Sequence, residues 1–263
     1  MKQRVITAIV ALIIFIPIIV YGGGLIEFAA AVLGIVAMDE FYKMKYDTPH
    51  YGQEAVAILA MLALILPWKQ WFPILPSPLF LYYIFIMILM AMMVFDQKDF
   101  HIDSLGFPVF TSLYLGIGFH SFIAARFTSL IVLLFALFIV WSTDIGAYMI
   151  GRKIGKHKLA PSISPNKTVE GAIGGIVCAV VVSALYLWKF GAHFPYSMPM
   201  MLIFVVIFSI AGQLGDLVES SYKRFYGVKD SGKILPGHGG ILDRFDSLLF
   251  VFPMMYILGL FTM

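Results

Sequence analysis

The densest chemistry in the chain lies between Gly215 and Ser247. The run Gly215-Asp216-Leu217-Val218-Glu219-Ser220-Ser221-Tyr222-Lys223-Arg224 is followed by Val228-Lys229-Asp230-Ser231-Gly232-Lys233. Leu235-Pro236-Gly237-His238-Gly239-Gly240-Ile241-Leu242-Asp243-Arg244-Phe245-Asp246-Ser247 comes next. On a helix, Asp216 sits one turn from Glu219 and Ser220, on one face, and Asp243 and Asp246 share a face at i,i+3. Glycines around His238 let a backbone approach a ligand closely. Carboxylates entering from two helix ends, with Lys and Arg between them, suit phosphoanhydride chemistry at a divalent metal. The acids hold Mg²⁺, usually through one or two carboxylates plus phosphate oxygens and water. The bases neutralise the charge of a leaving phosphate. The plainer alternatives are a structural salt-bridge network and, for His238, an ordinary loop histidine.

Two further clusters precede this one. In Trp141-Ser142-Thr143-Asp144-Ile145-Gly146-Ala147-Tyr148-Met149-Ile150-Gly151-Arg152, Asp144 lies within an apolar segment. An ionised carboxylate at bilayer depth costs about 2.5–3.5 kcal/mol on insertion scales, so it should face protein, water or a cation. A polar helix-packing contact is the simpler reading. The loop from Gly151 to Gly171 carries Arg152, Lys153, Lys156, Lys158 and Lys167, and ends in Ser164-Pro165-Asn166-Lys167-Thr168-Val169-Glu170-Gly171. That last string reads as a helix N-terminal cap, where backbone N–H groups favour phosphate. The loop's cations equally suit anionic lipid heads. Gly151-Arg152-Lys153-Ile154-Gly155-Lys156-His157 is one residue short of a Walker A loop and has no Ser or Thr after the Lys. Asp96, Asp99, His101 and Asp103 read as a solvated turn.

The elements that must position these residues are apolar. Of the 263 residues 61% are hydrophobic and 13% charged, about half the usual ~25% charged share. So few charges cannot cover a soluble surface, and the fold class expected is all-α, a polytopic integral membrane protein. A bilayer-crossing helix needs about 20 apolar residues. Nine segments qualify with frayed ends: 5–21, 25–39, 55–67, 79–95, 105–123, 128–149, 171–188, 198–219 and 245–262. The first follows Met1-Lys2-Gln3-Arg4 but exceeds a signal-peptide core of ~7–15 residues and lacks a cleavage site, so it reads as a retained span. Gly171, Gly174 and Gly175 read as small-residue helix packing, and the single Cys178 as a packing residue without a disulfide partner.

Orientation follows from the basic residues. With the N-terminus cytoplasmic, every Lys and Arg except Lys69, Arg126 and Lys189 falls on the inner side, and the C-terminus lies outside. All acidic residues except Glu27 fall on the inner side or at inner helix ends. Positive-inside topology does not require that, so the inner face is where a polar site is expected. The net charge of +3 carries no clustered basic face of the kind nucleic acid requires, and no nucleic-acid partner is expected.

Ser220–Arg224 with Lys229-Asp230, followed by Leu235–Asp246, closely resembles the signature of the phosphatidate cytidylyltransferase (CDP-diacylglycerol synthase) family. Asp144-x-x-Ala147-Tyr148-x-x-Gly151-Arg152 and Ser164-Pro165-Asn166-Lys167-Thr168-x-Glu170-Gly171 look like that family's other motifs, in order. The matches cover roughly residues 141–247; residues 1–130 match in hydropathy and span number alone, and Tyr222 stands where an aliphatic or Phe side chain is expected. The resemblance implies reaction of CTP with phosphatidate at the cytoplasmic leaflet of the cell membrane, giving CDP-diacylglycerol and diphosphate, with Mg²⁺ and a homodimer. Under it, Asp216, Asp243 and Asp246 are expected to hold the metal, and Asp144 a second cation or the side chain of Lys167. Lys167, Lys223 and Arg224 would grip phosphates. Ser164, Asn166, Thr168, Ser220, Lys229, His238, Gly239, Gly240 and Arg244 would line the substrate pocket.

A division follows into residues 1–130, a membrane scaffold offering lipid access or dimer contacts, and residues 131–263, the catalytic helices and loops. Two rival readings are a CTP-dependent polyprenol or lipid kinase, which would release CDP, and a cation-coupled transporter. Transporters usually carry an inverted or parallel repeat and helices interrupted at the midplane; here no repeat is visible and the carboxylates gather at the inner ends.

Overall fold

The computed structural model describes residues 2–96 and 100–261; Met1, Gln97, Lys98, Asp99, Thr262 and Met263 lie outside the described residues. Within them the chain is an all-α membrane protein. The elements are α1 (Lys2–Tyr21), α2 (Gly24–Lys45), α3 (Tyr51–Ile65), α4 (Trp68–Trp71), α5 (Pro78–Phe95), α6 (Ile102–Thr128) and α7 (Leu130–Ile154). There follow β1 (Lys158–Ala160), β2 (Ser164–Thr168), α8 (Val169–Phe190), α9 (Met198–Phe225), α10 (Leu242–Phe245) and α11 (Leu248–Ile257). Each of the nine apolar segments holds one of the longer helices. Among the described residues, α5, α6, α7, α8 and α9 are long and apolar enough to cross a membrane. The apolar parts of α1, α3 and α11 are shorter, and α2 carries Glu27, Asp39 and Glu40.

Two units divide the chain: Met1–Ile123 with Asp230–Leu242, and Ala124–Lys229 with Asp243–Met263. In the first, α2 lies on α3 where Gly34 meets Met61 and Ile65, at 3.0 Å from a would-be Cβ. The phenol of Tyr82 in α5 donates to the Val109 carbonyl of α6 at 2.9 Å. The segment Asp230–Leu242 folds over a bridge between Leu235 and Gly239, with Gly237 and Gly239 at φ 79° and 84°, a region open to glycine at little cost. The Thr7 hydroxyl of α1 donates to the Pro236 carbonyl of that turn at 3.0 Å.

In the second unit, α7 and α8 pack through missing side chains. A Cβ on Gly146 would sit 2.6 Å from Cys178, and one on Gly175 2.6 Å from the Thr143 carbonyl. Small residues let backbones approach where lipid gives no hydrophobic drive between helices, which is the packing role expected of Gly174, Gly175 and Cys178. The Ser129 hydroxyl caps α7 by accepting from Val132 N–H at 3.0 Å. Thr168 caps α8 in the same way, accepting from Gly171 N–H at 3.1 Å. Ahead of α8, β1 and β2 form an antiparallel hairpin pairing Lys158 with Thr168 and Ala160 with Ser164. Sequence patterning missed this hairpin because its strands are only three and five residues long.

Candidate active site

Among the described residues, the ion pairs Lys167–Asp216, Lys223–Asp243 and Lys223–Glu219 lie within the second unit. Lys167 is half-buried in β2, after the exposed Pro165 and Asn166 and directly before the α8 cap Thr168. Its Nζ donates to Asp216 Oδ2 of α9 at 2.5 Å. Ser220, one turn further along α9, donates to Asp216 Oδ1 at 3.3 Å. Two turns beyond Asp216, the Lys223 ammonium donates to Asp243 Oδ1 at 2.6 Å and pairs with Glu219 one turn before it. Asp246 packs closely on α9: its carbonyl oxygen would lie 2.6 Å from a Cβ on Gly215. Its carboxylate accepts from Ser247 N–H at 2.6 Å.

Three carboxylates stand within electrostatic reach of one another, Asp144 on α7, Asp216 on α9 and Asp246 after α10. Asp144 feels the negative charge of Asp216 and the positive charges of Lys167 and Arg244. Asp246 feels Asp216, Asp144 and Lys223. Residues distant in sequence thus build one polar row, and a cavity of about 480 Å³ opens beside it. Asp144, Tyr148, Arg152, Asn166, Lys167, Thr168, Gln213 and Asp216 line that cavity. It therefore offers two cations, Arg152 and Lys167, and two carboxylates, Asp144 and Asp216, a lining that suits a phosphate-bearing ligand with a divalent cation.

The remaining expected residues have other local partners. Arg224 donates from Nε to the Ile163 carbonyl at 3.2 Å and from a terminal nitrogen to the Val228 carbonyl at 3.0 Å, tying the hairpin turn to the end of α9. Ser164 is half-buried at the start of β2; Lys229 and Arg244 are exposed. His238, Gly239 and Gly240 belong to the other unit. There the His238 N–H donates to the Leu235 carbonyl at 2.8 Å. Gly240 packs on Glu40 rather than on open space, since a Cβ there would lie 2.3 Å from the Glu40 carboxylate.

Sequence reasoning assigned no role to four residues that shape these features. Gln213 lines the cavity and donates to the Ala172 carbonyl at 3.3 Å. Glu219, 1% exposed, balances Lys223. Glu170 accepts from the backbone of Lys156 at 3.0 Å and of His157 at 3.2 Å, and pairs with the His157 ring at 2.6 Å. Glu40 holds the Asp230–Leu242 segment. The spacing Asp216-x-x-Glu219 and the string Thr168-x-Glu170 were signals for two of them. Nothing near Gln213 or Glu40 in sequence marks either.

A family model described as "Cytidylyltransferase family" matches residues 2–262. The phosphatidate cytidylyltransferase of Staphylococcus haemolyticus is 43% identical over 260 residues, covering 98% of each chain. Proteins of the same name from Staphylococcus epidermidis and Staphylococcus aureus are 42% and 41% identical over the same length and coverage.

Proposed function

The chain belongs to the cytidylyltransferase family, and on that premise we propose that it transfers the cytidylyl group of CTP to phosphatidate in phospholipid synthesis. A phosphate oxygen of phosphatidate forms a bond to the α-phosphorus of CTP. The α–β anhydride bond breaks, and diphosphate leaves with the bonding electron pair. CDP-diacylglycerol is the other product. The observation that carries this reading is the cavity beside Lys167 and Asp216, where motifs from α7, β2 and α9 converge.

The nucleophile is already anionic, so positioning and charge neutralisation matter more than a strong base. Lys167, Lys223 and Arg224 are assigned to phosphate oxygens. A phosphate arriving at Lys167 competes with Asp216 for the same ammonium group. Ser164, Asn166, Thr168, Ser220, Lys229 and Arg244 are assigned to the substrates. The carboxylates Asp144, Asp216, Asp243 and Asp246 suit Mg²⁺ by chemistry as hard oxygen donors, and a divalent cation would relieve the mutual repulsion of Asp144, Asp216 and Asp246. Among the described residues no three His, Cys, Asp or Glu side chains are grouped so as to hold a metal ion; Mg²⁺ is usually held by one or two carboxylates, with water and phosphate oxygens as its other ligands. When bound, it supplies charge stabilisation to the transferring phosphoryl group.

The same reading takes the nine longer helices as spans, with the N-terminus cytoplasmic, the site facing the cytoplasm, and the protein a homodimer in the cell membrane. Incubating purified protein with CTP, phosphatidate and Mg²⁺ tests the reaction by its products. Diphosphate and CDP-diacylglycerol are expected. CDP with a phosphorylated lipid alcohol would instead make the enzyme a kinase.

A further inference from the structure

Glu40, in the second-last turn of α2, is 4% exposed. Its carboxylate is fully committed to the Asp230–Leu242 segment. Oε1 accepts from Ile241 N–H at 2.8 Å, and Oε2 accepts from Leu242 N–H at 2.9 Å and from the Ser231 hydroxyl at 3.0 Å. Two glycines make room for it. A Cβ on Gly232 would lie 2.5 Å from Oε1, and one on Gly240 2.3 Å. Neither glycine has positive φ, so what these positions require is space, not backbone freedom. A carboxylate is costly to bury unless donors surround it. This one is spent on two consecutive backbone N–H groups and a hydroxyl within one short segment.

Those N–H groups belong to the residues immediately before Asp243 in the chain, and Asp243 is a carboxylate the proposed reaction uses. A buried ion is weak evidence for stability but can enforce one conformation over others. We propose that Glu40 is a positioning residue for cytidylyl transfer: by gripping Ser231, Ile241 and Leu242 it fixes the backbone from which Asp243 follows. The inference rests on the functional reading above. It gives Gly232 and Gly240 a role that their absence of side chains alone does not reveal, as the socket for a side chain some two hundred residues away.

The experiment uses the full chain in lipid nanodiscs. It reads kcat and KM for CTP and phosphatidate, and the rate of tryptic cleavage after Lys233, an exposed residue of the held segment. Glu40→Gln is expected to lower kcat about tenfold or more, the loss of charge-assisted hydrogen bonds, with KM for phosphatidate within about twofold. Cleavage after Lys233 quickens. Gly240→Ala gives the same pattern, and adding it to Glu40→Gln costs little more, because both act on one socket. Wild-type kcat in Glu40→Gln overturns the proposal. So does a fall in kcat with unchanged cleavage, or full additivity of the two substitutions. If Glu40→Gln does not fold, Ser231→Ala decides: a fall of about threefold in kcat with faster cleavage is expected for one lost hydrogen bond, and wild-type values for both sink the idea. Should the wild-type protein form no CDP-diacylglycerol, the functional reading fails, while the cleavage assay still reports whether Glu40 holds the segment.

Discussion

Lys167 and Lys223 each hold an aspartate, yet the two pairs are built differently. The Lys167 and Asp216 side chains are 29% and 31% exposed and border the cavity. The Lys223 side chain is 11% exposed, Asp243 6% and Glu219 1%. The first pair lies where water or a ligand can exchange one partner for another, and such pairs add little to stability. The second is a cation shared between two buried carboxylates, and removing one member strands the others. A single row of charge therefore has an end that substrate can open at little cost and an end where a phosphate or cation must replace the partner it displaces, or a buried charge is stranded.

Lys223→Met breaks that contrast most severely. It leaves Glu219 and Asp243 buried without their cation, so about 3–5 kcal/mol of stability is expected to be lost along with activity. Thermal unfolding and CDP-diacylglycerol formation, measured on the same detergent-purified preparation, check this. A variant as stable as wild type would mean that the α9 cluster is no more closed than the cavity pair.

Lys167→Met sharpens the contrast from the open end. Stability should shift by no more than about 1 kcal/mol, while kcat falls about 10²–10³-fold, the usual cost of removing one group aimed at transition-state charge. The measurement is kcat against the thermal midpoint. A large fall in midpoint with modest loss of activity would reverse the roles assigned to the two lysines.

How much of this is legible in the chain depends on the length scale of each feature. The nine apolar segments are readable because a helix of bilayer length needs a long uninterrupted run, and each such run holds a helix. The hairpin of β1 and β2 is not, since three- and five-residue strands carry too little alternation. Asp216, Lys223 and Asp243 stand out by their neighbours in sequence. That Lys167 meets Asp216 across 49 positions is invisible to spacing, as is the bond from Ser231 to Glu40 across 191. Gly240 shows the same limit. Its missing side chain signals a close approach, but the group that approaches in this structure is the carboxylate of Glu40.

Thr168 links the open pair to the helix behind it and is where the smallest effect is expected. Its hydroxyl caps α8 through Gly171 N–H, and Gly151 and Gly155 press against it so closely that a Cβ on either would lie 2.9 and 2.6 Å from that oxygen. Thr168→Ala removes the cap and should cost about 1 kcal/mol. Lys167 precedes it in the chain, so a frayed α8 start also loosens the lysine facing the cavity. KM for CTP is expected to rise about three- to tenfold, with Thr168→Ser retaining both wild-type values because it keeps the acceptor. If alanine lowers the thermal midpoint but leaves KM for CTP unchanged, Lys167 is held by Asp216 rather than by the helix start, and the open end of the charge row is more self-sufficient than its exposure implies.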